Sequence, residues 1–172
     1  MKIYPATPIH LKQLNQLACT TYRQHFADLW SEQGLQNFLN QNFSLENLSE
    51  SLQDPDQVWL LLENEQAQII GYAKLNLNQY EPHLDIIGAE LQKIYLLKEA
   101  VGKNFASALM QNAIDIAREH QQASVFLEVL TANTRAKKFY QNFAFTEKLS
   151  IDFKTDLYDI GMDLMQLELT SR

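Results

Sequence analysis

The chain has 172 residues, 46% of them hydrophobic and 20% charged, which suits one folded domain spanning 1–172 and excludes a largely disordered chain. Its formal net charge of −7 argues against a general nucleic-acid binder, and a single cysteine, Cys19, excludes an internal disulfide framework or a cysteine-rich zinc site. No apolar run approaches the ~20 residues of a membrane span, and no apolar stretch of a secretory leader follows Met-Lys-Ile-Tyr-Pro, so a cytoplasmic protein with no membrane partner is expected.

Thr7-Pro8 reads as a helix start, a capping hydroxyl followed by proline at the first helical position. Leu11, Leu14, Ala18, Tyr22 and His25 continue at helical spacing, which places Cys19 in that helix as a buried structural thiol. A second helix is predicted near 32–42, with Leu35, Phe38, Leu39 and Phe43 on one side. A third begins after Ser44 and stops before Asp54-Pro55, because the residue before proline disfavours helix. The apolar run Val58 to Glu63 and the run Ile69 to Leu77 form a predicted hairpin about a turn at 63–66. Ala89 to Leu97 is a further strand.

A strong helix is predicted from Asn104 to His120, with Phe105, Leu109, Ala113 and Ile116 on one stripe. Ser124 to Leu130 reads as a strand and Thr134 to Asn142 as a short helix. The tail from Leu149 to Leu169 holds two more strands in a hairpin. Helices come first, then strand-strand-strand-helix-strand-helix-strand-strand. That order implies an α/β (α+β) domain with a mixed, mostly antiparallel central sheet of six to seven strands flanked by helices.

Two stretches carry chemistry. In the first, the strand ending at Leu97 runs into a polar loop, Val101-Gly102-Lys103, that opens the helix at Asn104. The first turn of a helix leaves backbone N–H groups free at its positive end, so these amides could bind a pyrophosphate. A plain strand-to-helix turn is the other reading. In the second, Asn133-Thr-Arg-Ala136-Lys137-Lys-Phe139-Tyr140 follows a strand. There Asn133 reads as a helix cap or a ligand contact, and Tyr140 as a core residue or a functional hydroxyl.

Together the two stretches resemble the GNAT-type N-acetyltransferase superfamily. The family's Gln/Arg-x-x-Gly-x-Gly/Ala aligns with the run ending Val101-Gly102-Lys103-Asn104-Phe105-Ala106. Its Asn-x-x-Ala-x-x-Phe-Tyr aligns with Asn133 to Tyr140, and its following Gly-Phe with Ala144-Phe145. Val101 stands where the family has a longer pyrophosphate-binding side chain, and Asn104 where it has glycine. The segments Tyr22 to Phe43 and Ile94 to Glu99 look nearest the bacterial polyamine (spermidine/spermine) acetyltransferase branch.

The resemblance implies acetyl transfer from acetyl-CoA to a primary amine, polyamine-like or peptide, with no metal. It also implies a splayed central strand pair holding the thioester. Ile94, Tyr95 and Leu96 would pair with the pantetheine arm. The amides of Val101, Gly102, Lys103, Asn104, Phe105, Ala106 and Ser107 would take the pyrophosphate, and Asn133 and Lys137 would complete the cofactor contacts. Tyr140 would protonate the departing thiolate. Glu90 is the candidate base or a surface carboxylate. Phe26 and Trp30 would wall the acceptor. Asp85, Asp152, Asp156 and Asp159 would attract a cationic amine or simply solvate a surface. A homodimer is the expected assembly. The rival reading is a non-catalytic CoA-binding regulatory or sensor domain on the same fold.

Overall fold

The structure, a computed structural model, describes residues 1–169. Seven strands form one sheet in the order β1-β2-β3-β4-β5-β7-β6. All neighbours are antiparallel except β4 and β5, which run parallel. The strands are β1 (Lys2–Pro5), β2 (Gln57–Glu63), β3 (Ile69–Glu81), β4 (Ile86–Leu96), β5 (Ser124–Leu130), β6 (Thr146–Lys154) and β7 (Asp159–Glu168). The helices are α1 (Leu11–Phe26), α2 (Glu32–Phe43), α3 (Leu45–Ser51), α4 (Phe105–Glu119) and α5 (Thr134–Gln141).

The strand β1 was not predicted. It is a four-residue edge strand ending in Pro5, paired with β2 from Lys2↔Glu63 to Pro5↔Leu60. Four residues hold too few alternations to reveal a strand, and a proline is tolerated only because the segment lies at an edge. Thr7 and Pro8 open a short 3₁₀ turn, Pro8–His10, rather than the α-helix itself, and α1 follows directly.

The sheet separates two apolar layers. Leu109, Met110, Ala113 and Ala117 of α4 pack on Leu75, Leu91, Leu127 and Met165. On the other face, Leu14, Ala18 and Tyr22 of α1 and Leu39 and Phe43 of α2 pack on Trp59, Leu61 and Tyr72. Period-two alternation in β3 sends Leu75 to one layer and Tyr72 to the other. Both layers therefore meet on β3 and β4, and the site is built beside them. Cys19 sits half-buried in α1, and burial pushes its thiol pKa up, as suits a structural cysteine.

The β5–β7–β6 edge is pinned by Asp163 of β7, which is fully buried. Its carboxylate accepts from Thr131 Oγ1 and Ser150 Oγ, each at 2.7 Å, and pairs with the Lys137 ammonium. The Lys137 bond, with those from Ser150 and Thr131, holds the Asp163 pKa down at about 2, against the cost of burial. Asp163→Asn should destabilise the protein by about 3 kcal/mol at pH 7, because it strands Lys137 at a half-formed pair. The folded pKa lies below the ordinary carboxylate value, so this stabilisation is complete above about pH 4 and is lost as pH falls towards 2. Urea midpoints of the two proteins should therefore differ at pH 7 and converge in acid.

Candidate active site

The parallel strands β4 and β5 are hydrogen-bonded over only two registered pairs, Ala89↔Val125 and Glu90↔Phe126. Beyond Glu90 they part. Lys93 faces Lys74 on β3 while Leu91 faces Leu75, so Gln92 is the extra residue of a β-bulge. A bulge bends its strand and increases the local twist, and this one lies where the separation begins. The gap is a cavity of about 830 Å³. Its walls come from β4 between Glu90 and Leu96, from β5 between Glu128 and Leu130, and from α1, α4 and α5. Residues 91–96 pair with β3 on one edge and have no strand on the other. Their free backbone groups face the gap, except that the Leu96 carbonyl lies 2.8 Å from His25 Nε2.

One end of the cavity is the loop before α4. Val101, Gly102, Asn104, Ala106 and Ser107 all line it. Gly102 has φ +93° and Asn104 has φ +61°, both in the left-handed region. Asparagine is one of the few non-glycine residues that adopt this conformation at modest cost, which explains how it stands there. These two turns aim the chain so that the N–H groups of residues 102–107 find no acceptor among the described residues. The first backbone bond into α4 is donated by Ala108 to the Asn104 carbonyl, at 3.2 Å. Six successive free amides at the positive end of a 15-residue helix suit a diphosphate. A Cβ built on Gly102 would meet no atom within 4 Å, so the loop is open to a ligand. Asn104→Val should cost about 1–2 kcal/mol of left-handed strain, and weaken anion binding at the loop with it, whereas Asn104→Gly should keep both. Thermal unfolding with and without pyrophosphate measures the two effects together.

The opposite wall carries the titratable groups. Tyr140 of α5 lines the cavity, and no described side chain or carbonyl takes its hydroxyl. Burial pushes its pKa up to about 12, so the phenol is protonated at neutral pH. Glu90 accepts a 2.7 Å hydrogen bond from Asn76 Nδ2 on β3, which orients its carboxylate. Glu128 lines the same cavity from β5, and its pKa is raised, first by burial, then by the negative charges of Glu90 and Glu81. Neighbouring carboxylates on the two separated strands form a negative site for a cationic amine.

The family model for the acetyltransferase (GNAT) family matches residues 11–145, which hold the loop, Tyr140 and all of the cavity wall but Phe153 and Met162. The chain belongs to the GNAT acetyltransferase family. An uncharacterised N-acetyltransferase of Mycobacterium tuberculosis (strain ATCC 25618 / H37Rv) is 32% identical over 109 residues, 63% of this chain and 65% of that relative. The chain thus spans less than two thirds of that relative's length. PaiA N-acetyltransferase from Thermoplasma acidophilum, in complex with coenzyme A, superposes with a TM-score of 0.75 at 20% identity, over 98% of this chain and all of the other. YncA from Salmonella typhimurium, with its cofactor acetyl-CoA, gives a TM-score of 0.71 at 16% identity, over 100% of this chain and 95% of that one. At those identities the two structures show a shared GNAT fold.

Within the GNAT frame, most of the residues singled out in the sequence converge. Glu90, Ile94, Tyr95, Leu96, Phe26, Asn133 and Tyr140 line one cavity with the α4 loop. Asn133 is both cap and wall: its side chain accepts from the Ala136 N–H at 3.1 Å while facing the gap. Others stand apart. Lys137 is turned away, its ammonium held by Asp163 and, at 2.9 Å, by Glu147. Lys103 projects from the loop, and the Phe105 ring packs into the core, so each offers the cavity no more than a backbone amide. Trp30 sits behind the wall, donating to the Tyr22 hydroxyl at 3.2 Å and packing on Phe38 and Phe153.

Three of the four aspartates have structural partners. Asp85 accepts from Tyr80, Asp159 pairs with Lys154, and Asp156 accepts from Ser31 at the N-cap of α2. Asp152 is exposed and lines no part of the cavity. Sequence reasoning passed over Glu128 and Lys93. Glu128 is a charge inside an otherwise apolar strand run, and that misfit is the signal that marks it, whereas Lys93 follows Glu90 and Gln92 in a mixed run and leaves no such signal. Among the described residues, no group of three or more His, Cys, Asp or Glu is placed to hold a metal, and no helix is long and apolar enough to cross a membrane.

Proposed function

We propose that this protein transfers the acetyl group of acetyl-CoA to the nitrogen of a primary amine by direct attack. The observation that carries the reading is the parted β4–β5 pair, which puts free amides, a protonated phenol and two carboxylates on one cavity. Acetyl-CoA, when bound, supplies an acetyl group activated as a thioester.

The amides of residues 102–107 are positioned to take its diphosphate, and the free edge of β4 at Ile94 and Tyr95 to pair with the pantetheine arm as an added strand would. The same edge N–H groups can polarise a carbonyl lying in the gap. An alkyl amine has a pKa near ~10.4, so at pH 7 only about one molecule in a few thousand is neutral and nucleophilic. Glu90 and Glu128 hold the ammonium form beside the gap. Glu128, whose own proton affinity is raised, removes the proton directly or through a water. After the attack the nitrogen still carries one surplus proton. Tyr140 protonates the sulfur as the C–S bond breaks, and its phenolate is restored by that surplus proton, passed directly or through water. Burial opposes a phenolate there, but it opposes a thiolate formed beside it as well, so the transfer between them is not blocked.

The carboxylate pair supports a cationic acceptor, and a polyamine or a peptide amine meets that requirement. A free-thiol release assay with acetyl-CoA against an amine panel, spermidine and peptides included, tests the reading. Thiol release that depends on an amine supports it. Protection by acetyl-CoA against thermal unfolding without release from any amine would instead support a CoA-binding regulatory domain. The proposal includes a homodimer working in the cytoplasm without nucleic acid or membrane; sedimentation at twice 19.9 kDa is its expected assembly state.

A further inference from the structure

A second cavity, of about 350 Å³, opens beside the first on the α1–α3 side of the sheet. The two share Asn42, Gln92 and Lys93 as wall residues. Its floor is the registered pair Lys74 and Lys93 on β3 and β4, directly opposite one another and therefore on one face. Lys93 is only 8% exposed, and neither lysine has a salt bridge or a hydrogen-bond acceptor among the described residues. Their ammonium groups rest over aromatic rings, Lys74 at 5.3 Å from the Trp59 centroid and Lys93 at 5.2 Å from that of Phe43. Two like charges facing each other across a sheet, Lys93 buried and Lys74 half-buried, are costly unless something anionic is to be placed between them.

The local carboxylates offset that cost only in part: Glu90 and Asp54 favour the charged form of Lys74 and Glu90 that of Lys93, yet burial outweighs them at both. Glu90 is drawn to Asn76. Asp54 is occupied by its own turn, accepting from the Asp56 N–H and from Gln57 Nε2, each at 2.9 Å. Glu50 is exposed at the rim. The bulge at Gln92 places an uncommitted carboxamide at the junction of the two cavities. Burial first, then Lys74, brings the Lys93 pKa down to about 8, with Glu90 opposing. That is the electrostatic condition a bound anion would relieve.

Building on the acetyltransfer reading, we propose that the Lys74–Lys93 cavity is a carboxylate subsite, so the acceptor is an amino acid or similar amine bearing a carboxylate. Glu90 and Glu128 then face the ammonium end and Lys93 the carboxylate end of one bound zwitterion. A purely cationic polyamine satisfies only the first half, and its second charge is repelled at Lys93.

The test uses matched acceptors, each amino acid against its amide and its decarboxylated amine, with acetyl-CoA and thiol detection. For the preferred amino acid, the wild-type protein should show a kcat/KM at least about tenfold above either analogue, the size of one buried charged contact. Lys93→Met should raise KM for the amino acid about tenfold, reduce the preference to within about twofold, and leave the acetyl-CoA dissociation constant unchanged. Equal or better turnover of the decarboxylated amines by the wild-type protein overturns the proposal, as does an undiminished preference in Lys93→Met. A second arm separates this failure from failure of acetyltransfer itself. Binding of N-acetylated amino acids and of their amides is followed by thermal shift in the presence of CoA. Selective stabilisation by the acids, lost in Lys93→Met and in Lys74→Met, supports the subsite even if no turnover is seen. Equal stabilisation by acids and amides, or none by either, rejects it.

Discussion

Tyr140→Phe should lower kcat by about 100-fold or more while leaving the acetyl-CoA dissociation constant within about twofold of wild type. The ring of Tyr140 packs against Phe139 and Phe145, with centroids 5.5 and 6.0 Å away, and phenylalanine preserves both contacts. No described group bonds the hydroxyl, so its removal leaves no orphaned partner and folding should be unaffected. What is lost is a proton donor beside the departing sulfur, and a positioned acid of this kind contributes about 10²–10⁴-fold. Turnover by stopped-time thiol release, with affinity measured separately by titration, distinguishes the two quantities. Turnover equal to wild type would remove Tyr140 from the chemistry and leave it as a packing residue.

Glu128→Gln should reduce kcat/KM for the amine by about 100-fold at pH 7 and abolish the acidic limb of the pH profile. The sign follows from its shift. Burial and the charges of Glu90 and Glu81 raise the Glu128 pKa, so the base form is lost, and the rate falls, as pH drops through that raised value. Glutamine cannot titrate, so the residual rate should simply climb with pH towards the amine's own pKa of ~10.4. Glu90→Gln should lower the rate less and keep the limb, because Glu90, fixed by Asn76, attracts the ammonium without needing to accept its proton. An acidic limb that survives in Glu128→Gln and vanishes in Glu90→Gln would transfer the base role to Glu90, the residue the sequence suggests first.

The order and type of most elements were legible in the sequence because they rest on local periodicity. Leu109 and Ala113 in α4 declare their buried face by spacing, and the continuous apolar runs of β2 and β3 mark strands buried on both faces. The Asn133 to Tyr140 run and the Gly102 loop were legible for a related reason: cap, stripe and positive-φ turn all lie within one stretch of chain. Lys137 shows the limit of such reading. It lies inside the motif, yet its ammonium turns to Asp163, 26 positions later and on β7, a partner that only the sheet order brings near.

The sequence by itself determined a mixed, mostly antiparallel sheet flanked by helices, a loop that opens a helix at Asn104 and a tyrosine two turns along α5. The resemblance already implied a parted strand pair, and β4 and β5 do part; tertiary structure alone placed the parting after Glu90, brought Glu128 near Glu90, and set Lys74 and Lys93 opposite each other. The physical reason is register. Which charges meet across a sheet depends on a bulge at Gln92 and on pairings such as Lys74↔Lys93 and Glu90↔Phe126, between residues far apart in the chain, and neither leaves a mark in local spacing.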